Sequence, residues 1–169
     1  FADSVEELDI SEKGPNDYVT QLDKRVEEII IDSLRKTYPK HTYVSEEIGK
    51  IDGSGEDLES VWVIDPLDGT TNFIHGFPYY AISIAYIQNG KTLHAITIDV
   101  PRQDEFTASL GRGAYLNNRR IRVSKRKGIS GALLSNSSHN TDKGIVRHDN
   151  MSTFRDLYSH GLTIRRTGS

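Results

Sequence analysis

The sequence predicts an α/β protein, and three observations point there. Leu22, Val26, Ile29, Ile30 and Leu34 recur at helical spacing between Thr20 and Pro39. Val61-Trp62-Val63-Ile64 is a continuous apolar run of the kind found in a buried strand. Two β-rich runs, 81–87 and 92–100, flank Asn89-Gly90, a strong hairpin signal.

Taken in order, residues 5–10 set Val5, Leu8 and Ile10 among acids, a weak strand signal. Gly14-Pro15-Asn16-Asp17 is a turn cluster. Thr20 suits the N-cap of the helix, Asp23 three residues on resembles a capping box, and Pro39 ends the helix. Thr42, Tyr43 and Val44 form a short β-prone run that leads into Ser45-Glu46-Glu47. Residues 53–57 read as an exposed loop. The apolar run at 61–64 then ends abruptly in Asp65-Pro66-Leu67-Asp68-Gly69-Thr70-Thr71. Beyond the hairpin, 105–109 and 120–124 continue a meander with a turn at Asn117-Asn118. Lys125-Arg126-Lys127-Gly128 is a basic linker, so the expected division is 1–125 and 126–169. In the second part, 132–135 and 162–166 read as strands and 148–160 as a helix.

Composition excludes several function classes. With 36% hydrophobic and 27% charged residues, the 169-residue chain suits a soluble globular protein with a sizeable core. A net charge of −3 gives no reason to expect nucleic acid as the default partner. The cluster Arg119, Arg120, Arg122, Lys125, Arg126 and Lys127 reads as a solvated face, because no aromatic residues are interleaved with it. The absence of cysteine excludes disulfides and thiolate zinc sites, and is compatible with a reducing cytoplasm. No apolar run approaches membrane-spanning length and no secretory signal opens the sequence, so a cytoplasmic protein without a membrane partner is expected. The first residue is Phe1, not methionine, so residues are expected to precede it.

The chemistry gathers at 65–71. Asp65 and Asp68 flank a proline that fixes its own φ and cannot continue a regular ladder. Two acids three residues apart can then turn toward one point. Hard divalent cations take oxygen ligands, and magnesium is usually held by a few carboxylates with waters and a substrate phosphate. Each acid can serve one ion, or one acid can bridge two ions about 3.5–4 Å apart. Gly69 allows close backbone approach. The amides of Gly69, Thr70 and Thr71 can then form an anion-binding nest or a helix start. The blander reading is an Asp-rich turn that caps a helix. A strand, two acids around a proline, a glycine and two threonines in sequence are hard to explain as a turn alone.

The string from Trp62 to Phe73 resembles the first signature of the inositol monophosphatase family, and Ile74-His75-Gly76-Phe77-Pro78 continues it. The segment Lys13 to Asp23 resembles the mobile loop and Asp-x-Val-Thr-x-x-Asp segment of that family. Ser45-Glu46-Glu47 resembles its Gly-Glu-Glu, with serine in place of glycine. Gly111 to Asn117 also fits. The resemblance implies an α/β layered α-β-α-β-α sandwich of the sugar phosphatase type, with residues 1–125 as the metal-binding part. It implies magnesium-dependent hydrolysis of a phosphate monoester on a polyol, foremost inositol 1-phosphate, by a metal-activated water. Another sugar phosphate or a nucleotide is the alternative substrate.

Carried over residue by residue, the resemblance implies that Glu46 and Asp65 hold one magnesium ion with the Leu67 carbonyl. Asp65 would bridge to a second ion that Asp68 also binds. Thr70 with Glu46 would orient the attacking water. Asp23 would sit further out and help hold a third, weaker ion, with a plain helix cap as its rival role. Gly69, Thr70 and Thr71 would cradle the phosphate, and Asp68 would touch a ring hydroxyl. Glu47 is expected as a surface or supporting acid and His75 as a surface or packing residue. A homodimer is implied. The family's second signature, a Trp-Asp followed by small residues and glycine, has no counterpart, since Trp62 is the only tryptophan. The chain is therefore expected to be an amino-terminal part with an incomplete carboxy-terminal lobe, inactive alone. A rival reading comes from the bacterial extragenic-suppressor branch, implicated in transcription antitermination complexes. It makes the chain a non-catalytic binding module that uses the basic cluster at 119–127.

Overall fold

A computed structural model describes residues 10–14, 17–55, 59–135, 150–159 and 162–169, with side chains at 21–55, 59–135, 155–159 and 162–169. Most of the expected strand at 5–10 lies outside the described residues. Strands β1 (Ile10–Gly14) and β2 (Asp17–Thr20) pair antiparallel, and β2 runs directly into helix α1 (Gln21–Thr37). Helix α1 has Asp23 in its first turn and Arg35 and Lys36 in its last, signs that suit the helix dipole. It stops two residues before Pro39, whose ring disfavours helical backbone at the residue ahead of it.

The buried face of α1 differs from the apolar stripe that periodicity predicts. Asp23, Glu27 and Ile31 are buried, whereas Ile29 is 53% exposed. Ile30 and Leu34 pack beside the core, and Leu22 and Val26 are half-buried. Spacing of four aligns Asp23, Glu27 and Ile31 on one face. Two acids can occupy it because donors for their oxygens are waiting there.

Strands β3 (Thr42–Ser45), β4 (Gly49–Ile51), β5 (Ser60–Asp68), β6 (Ala81–Gln88), β7 (Lys91–Asp99), β8 (Asp104–Ser109), β9 (Gly113–Leu116) and β10 (Arg119–Ile121) form one sheet, ordered β10-β9-β8-β7-β6-β5-β3-β4. Sequential neighbours from β5 to β10 pair antiparallel, β4 folds back on β3, and β3 and β5 are parallel. Asn89 and Gly90 have φ of 50° and 70°, and Asn117 and Asn118 have 47° and 64°. Paired left-handed residues of this kind turn a chain with the twist that two strands require.

Ile31, Tyr43 and Ile64 form the core, with Ile30, Leu34, Ile51, Trp62 and Ile84 packed against it. The Tyr43 hydroxyl donates to the Tyr38 carbonyl at 2.7 Å. The run 61–64 is not buried on both faces: Ile64 is 2% exposed and Val63 is 38% exposed. Alternation along the strand sends these neighbours to opposite sides of the sheet. Trp62, Tyr86 and His94 stand opposite one another across β5, β6 and β7, and the Trp62 indole N–H donates to His41 Nδ1 at 3.0 Å.

Residues 123–169 form a second compact unit, which begins three residues before the expected 126. In it β11 (Leu133–Ser135) and β12 (Thr163–Arg165) pair in parallel on either side of helix α2 (Asn150–Ser159) in sequence, and Leu162 is buried.

The segment after β4 lies down on the chain instead of standing out as a loop. A Cβ on Gly53 would sit 2.3 Å from the Lys40 carbonyl carbon and oxygen, and the Ser54 amide donates to the Pro39 carbonyl at 2.8 Å. Residues 56–58 lie outside the described residues. Gly53→Ala should therefore destabilise the protein by about 1–3 kcal/mol in urea denaturation, the usual cost of overpacking. Gly128→Ala, with nothing within 4 Å of the added atom, should leave the midpoint unchanged. Equal midpoints for the two variants would contradict the close approach at Gly53.

Candidate metal centre

Pro66 interrupts β5 with no N–H to give to the ladder. There the pairing with β6 slips: Asp65 stands opposite Ser83, but Asp68 stands opposite Ala81. Three steps along β5 match two along β6, which is a β-bulge. Pro66 and Leu67 are buried, while Asp65 and Asp68 are half-buried. The Leu67 amide donates to Asp65 Oδ1 at 3.2 Å and closes the turn. Gly69, at φ 94° and ψ 34°, occupies the left-handed region open to glycine. It caps a short helix, Thr70–Ile74, whose fourth residue Phe73 donates its amide to the Gly69 carbonyl at 3.0 Å.

The parallel pairing of β3 with β5 sets the second part of the site. Ser45 stands opposite Ile64, so the next residue on each strand, Glu46 and Asp65, emerge side by side. Their carboxyls share a hydrogen bond. Burial first, then the charges of Glu46 and Asp68, push the Asp65 carboxyl up from 3.8 to about 7, against the pull of the Leu67 amide. A third group forms beside them. The Thr70 hydroxyl lies 3.2 Å from Asp23 Oδ1 and 3.0 Å from the Leu67 carbonyl oxygen, and its one proton serves either acceptor. Asp23 is buried and reaches a residue far along the chain, which a plain helix cap does not do.

Among the described residues, no three Asp, Glu or His side chains already converge as a metal-holding group. The pair Glu46 and Asp65, with backbone oxygen nearby in sequence at Leu67, supplies a different set: two carboxylates and a carbonyl. These are oxygen donors only, which fits a hard divalent cation and not a thiolate-seeking one. His75 is exposed, with Nδ1 2.8 Å from the Thr71 carbonyl.

Sequence reasoning missed Glu27. It is fully buried, and its carboxyl accepts from the Ser45 hydroxyl, from the Glu47 amide at 3.2 Å and from the Ile48 amide at 2.9 Å. The available signal was its place one helical turn after Asp23 and one before Ile31. Acids on helices usually face water, so that signal carried little weight.

The inositol monophosphatase family model matches residues 2–169. The Nus factor SuhB of Pseudomonas aeruginosa is 51% identical over 98% of this chain and 63% of the relative. Among solved structures, the extragenic suppressor protein suhB from Bartonella henselae is 35% identical with a TM-score of 0.86, over 99% of this chain and 63% of that one. An IMPase from Thermotoga maritima is 32% identical with a TM-score of 0.79, over 96% of this chain and 60% of that one. The fold is thus that of the layered sugar phosphatases, and the chain spans under two thirds of the length of these relatives.

A carboxyl whose proton is held more tightly in the folded state stabilises that state at low pH. The contribution of Asp65 is complete below 3.8 and is lost as pH rises through about 7. Thermal melts in chelator should show a melting temperature that falls across this window, and Asp65→Asn should flatten the slope. An unchanged slope in Asp65→Asn would remove Asp65 as its source.

Proposed function

The chain belongs to the inositol monophosphatase family, and on that footing we propose that its site serves magnesium-dependent hydrolysis of a phosphate monoester on a polyol, with inositol 1-phosphate as the first substrate to test. One observation carries the reading. Strand β3 and the bulge in β5 bring Glu46 against Asp65, with Asp68 close enough to act on the same carboxyl.

Glu46, Asp65 and the Leu67 carbonyl would hold one magnesium ion, and Asp65 and Asp68 a second. Asp23 would help hold a third. Bound there, magnesium supplies positive charge that activates water and offsets the charge of the phosphate. The protein's own groups do the rest. Thr70, placed between Asp23 and the Leu67 carbonyl, orients the attacking water together with Glu46. The amides of Gly69, Thr70 and Thr71 cradle the phosphate, because the first turn of a helix leaves its N–H groups without partners inside the helix. Asp68 also meets a hydroxyl of the ring. The displacement is direct and in line, with no protein nucleophile. A homodimer in the cytoplasm is part of this proposal, supported by family membership.

In the full chain, Asp65→Asn and Asp68→Asn should each cut magnesium-dependent phosphate release by more than the roughly 10–100-fold seen for losing an outer partner of a metal site. Circular dichroism should be unchanged. Turnover close to the parent's in both variants would refute the assignment. Faster release from another sugar phosphate or a nucleotide would keep the chemistry and change the substrate.

A second reading has its own observation. From Phe106 to Thr141 the chain has seven Lys and Arg residues and no acid, and Arg119, Arg120, Arg122, Lys125, Arg126 and Lys127 are all exposed. With a relative named as a Nus factor, this strip supports contact with a transcription complex, independent of catalysis. Charge reversal at Arg119, Arg120 and Arg122 should abolish that binding and leave phosphate release intact. Retained binding would exclude the strip.

A further inference from the structure

Glu27 is not among the residues assigned to metal or phosphate, yet three donors from Ser45 and the turn that follows it converge on it. That turn, Glu46-Glu47-Ile48, joins β3 to β4, and its flanking residues Ser45 and Gly49 are paired. A tight hairpin turn normally leaves its amides to water. Here the Glu47 and Ile48 amides instead donate to a carboxyl from α1, about 20 residues earlier, and the Ser45 hydroxyl joins them. Glu46 is thus held from both sides: through Ser45 before it and through two amides after it. Its own side chain is exposed and meets Asp65.

We propose that Glu27, with the Ser45 hydroxyl, is a positioning residue that fixes the turn carrying Glu46 and thereby places its carboxylate beside Asp65 for a divalent cation. The proposal rests on the reading of Glu46 and Asp65 as cation ligands. Serine at 45, where the family pattern has glycine, supplies a donor that glycine lacks. Desolvated acceptors gain most from donors already in place, since the alternative is a buried oxygen without a partner. Without the Glu27 oxygens, the two amides turn to water and the turn relaxes. The Glu46 carboxylate then spends less time beside Asp65. The cost falls on cation affinity, whereas a residue that only supports the core would lower the melting temperature and leave the affinity of the folded protein unchanged.

The test is calorimetric titration of the full chain with magnesium alone, on Glu27→Gln, Ser45→Ala and Asp65→Asn, with thermal melts alongside. Glu27→Gln keeps the side-chain volume but sets an NH2 group against the turn amides, and should weaken magnesium binding by about 10–100-fold. Ser45→Ala should weaken it less, with the fold intact. Amide exchange at Glu47 and Ile48 should accelerate in Glu27→Gln more than at neighbouring strand positions. In assays, the magnesium requirement should rise while turnover at saturating magnesium stays close to that of the parent. Weaker binding in Asp65→Asn with parental affinity in both Glu27→Gln and Ser45→Ala would overturn the positioning role. Parental affinity in Asp65→Asn would instead overturn the ligand reading beneath it. If Glu27→Gln fails to fold, Ser45→Ala decides, and unchanged affinity in it overturns the proposal.

Discussion

A strand inside a sheet needs its N–H groups, and at Pro66 there is none to give. Strand β5 pairs with β6 here, and the slip in their register falls around Pro66, between Asp65 and Asp68. The ladder answers with a bulge, and the polar groups it releases find local partners. The Leu67 amide turns to Asp65, and the Leu67 carbonyl receives the Thr70 hydroxyl. Asp65 and Asp68 leave the regular alternation together. Their placement is therefore fixed by backbone geometry, which is stiffer than any arrangement of long side chains.

Crowding acids in this way is costly unless each one has its own compensation. Asp23 shares the Thr70 hydroxyl with the Leu67 carbonyl, and Glu27 has three donors, one at the end of β3 and two in the turn after it. Asp65 has the Leu67 amide and a hydrogen bond shared with Glu46, and still holds its proton up to about 7. Helix α1 ties this arrangement to the core. One of its faces passes from Asp23 through Glu27 to Ile31, and Ile31 packs with Tyr43 and Ile64 on the two strands that bear the acids. A shift of the helix would disturb site and core at once.

Much of this was legible in the chain. Asn89-Gly90 and Asn117-Asn118 announce their turns because few other residues accept left-handed backbone so readily, and both turns occur. The strand ending in two acids around a proline was equally plain. Other features depend on partners distant in sequence. Nothing near Glu27 distinguishes an acid that faces water from one whose donors lie at Ser45, Glu47 and Ile48. Hydrophobic periodicity therefore assigned Ile29 to the buried face and left two acids outside it. Gly53 reads as an ordinary loop glycine until the backbone at Lys40 and His41 comes up against it. Val63 looks like its apolar neighbours, and only the side of the sheet on which it falls leaves it exposed.

The order of the strands has a consequence for how the site comes apart. From β6 to β10, neighbours in the sheet are neighbours in sequence, joined by short turns. Such local pairings close with little loss of chain entropy. Strands β3 and β5 are parallel neighbours in the sheet but are separated in sequence by β4, which sits at the rim of the sheet and is three residues long. Fraying from that rim sacrifices a short strand and spares the meander. It would carry Glu46 away from Asp65 while most of the protein remained folded. A cation held by both strands would resist that opening directly, acting as a clasp on the margin of the sheet.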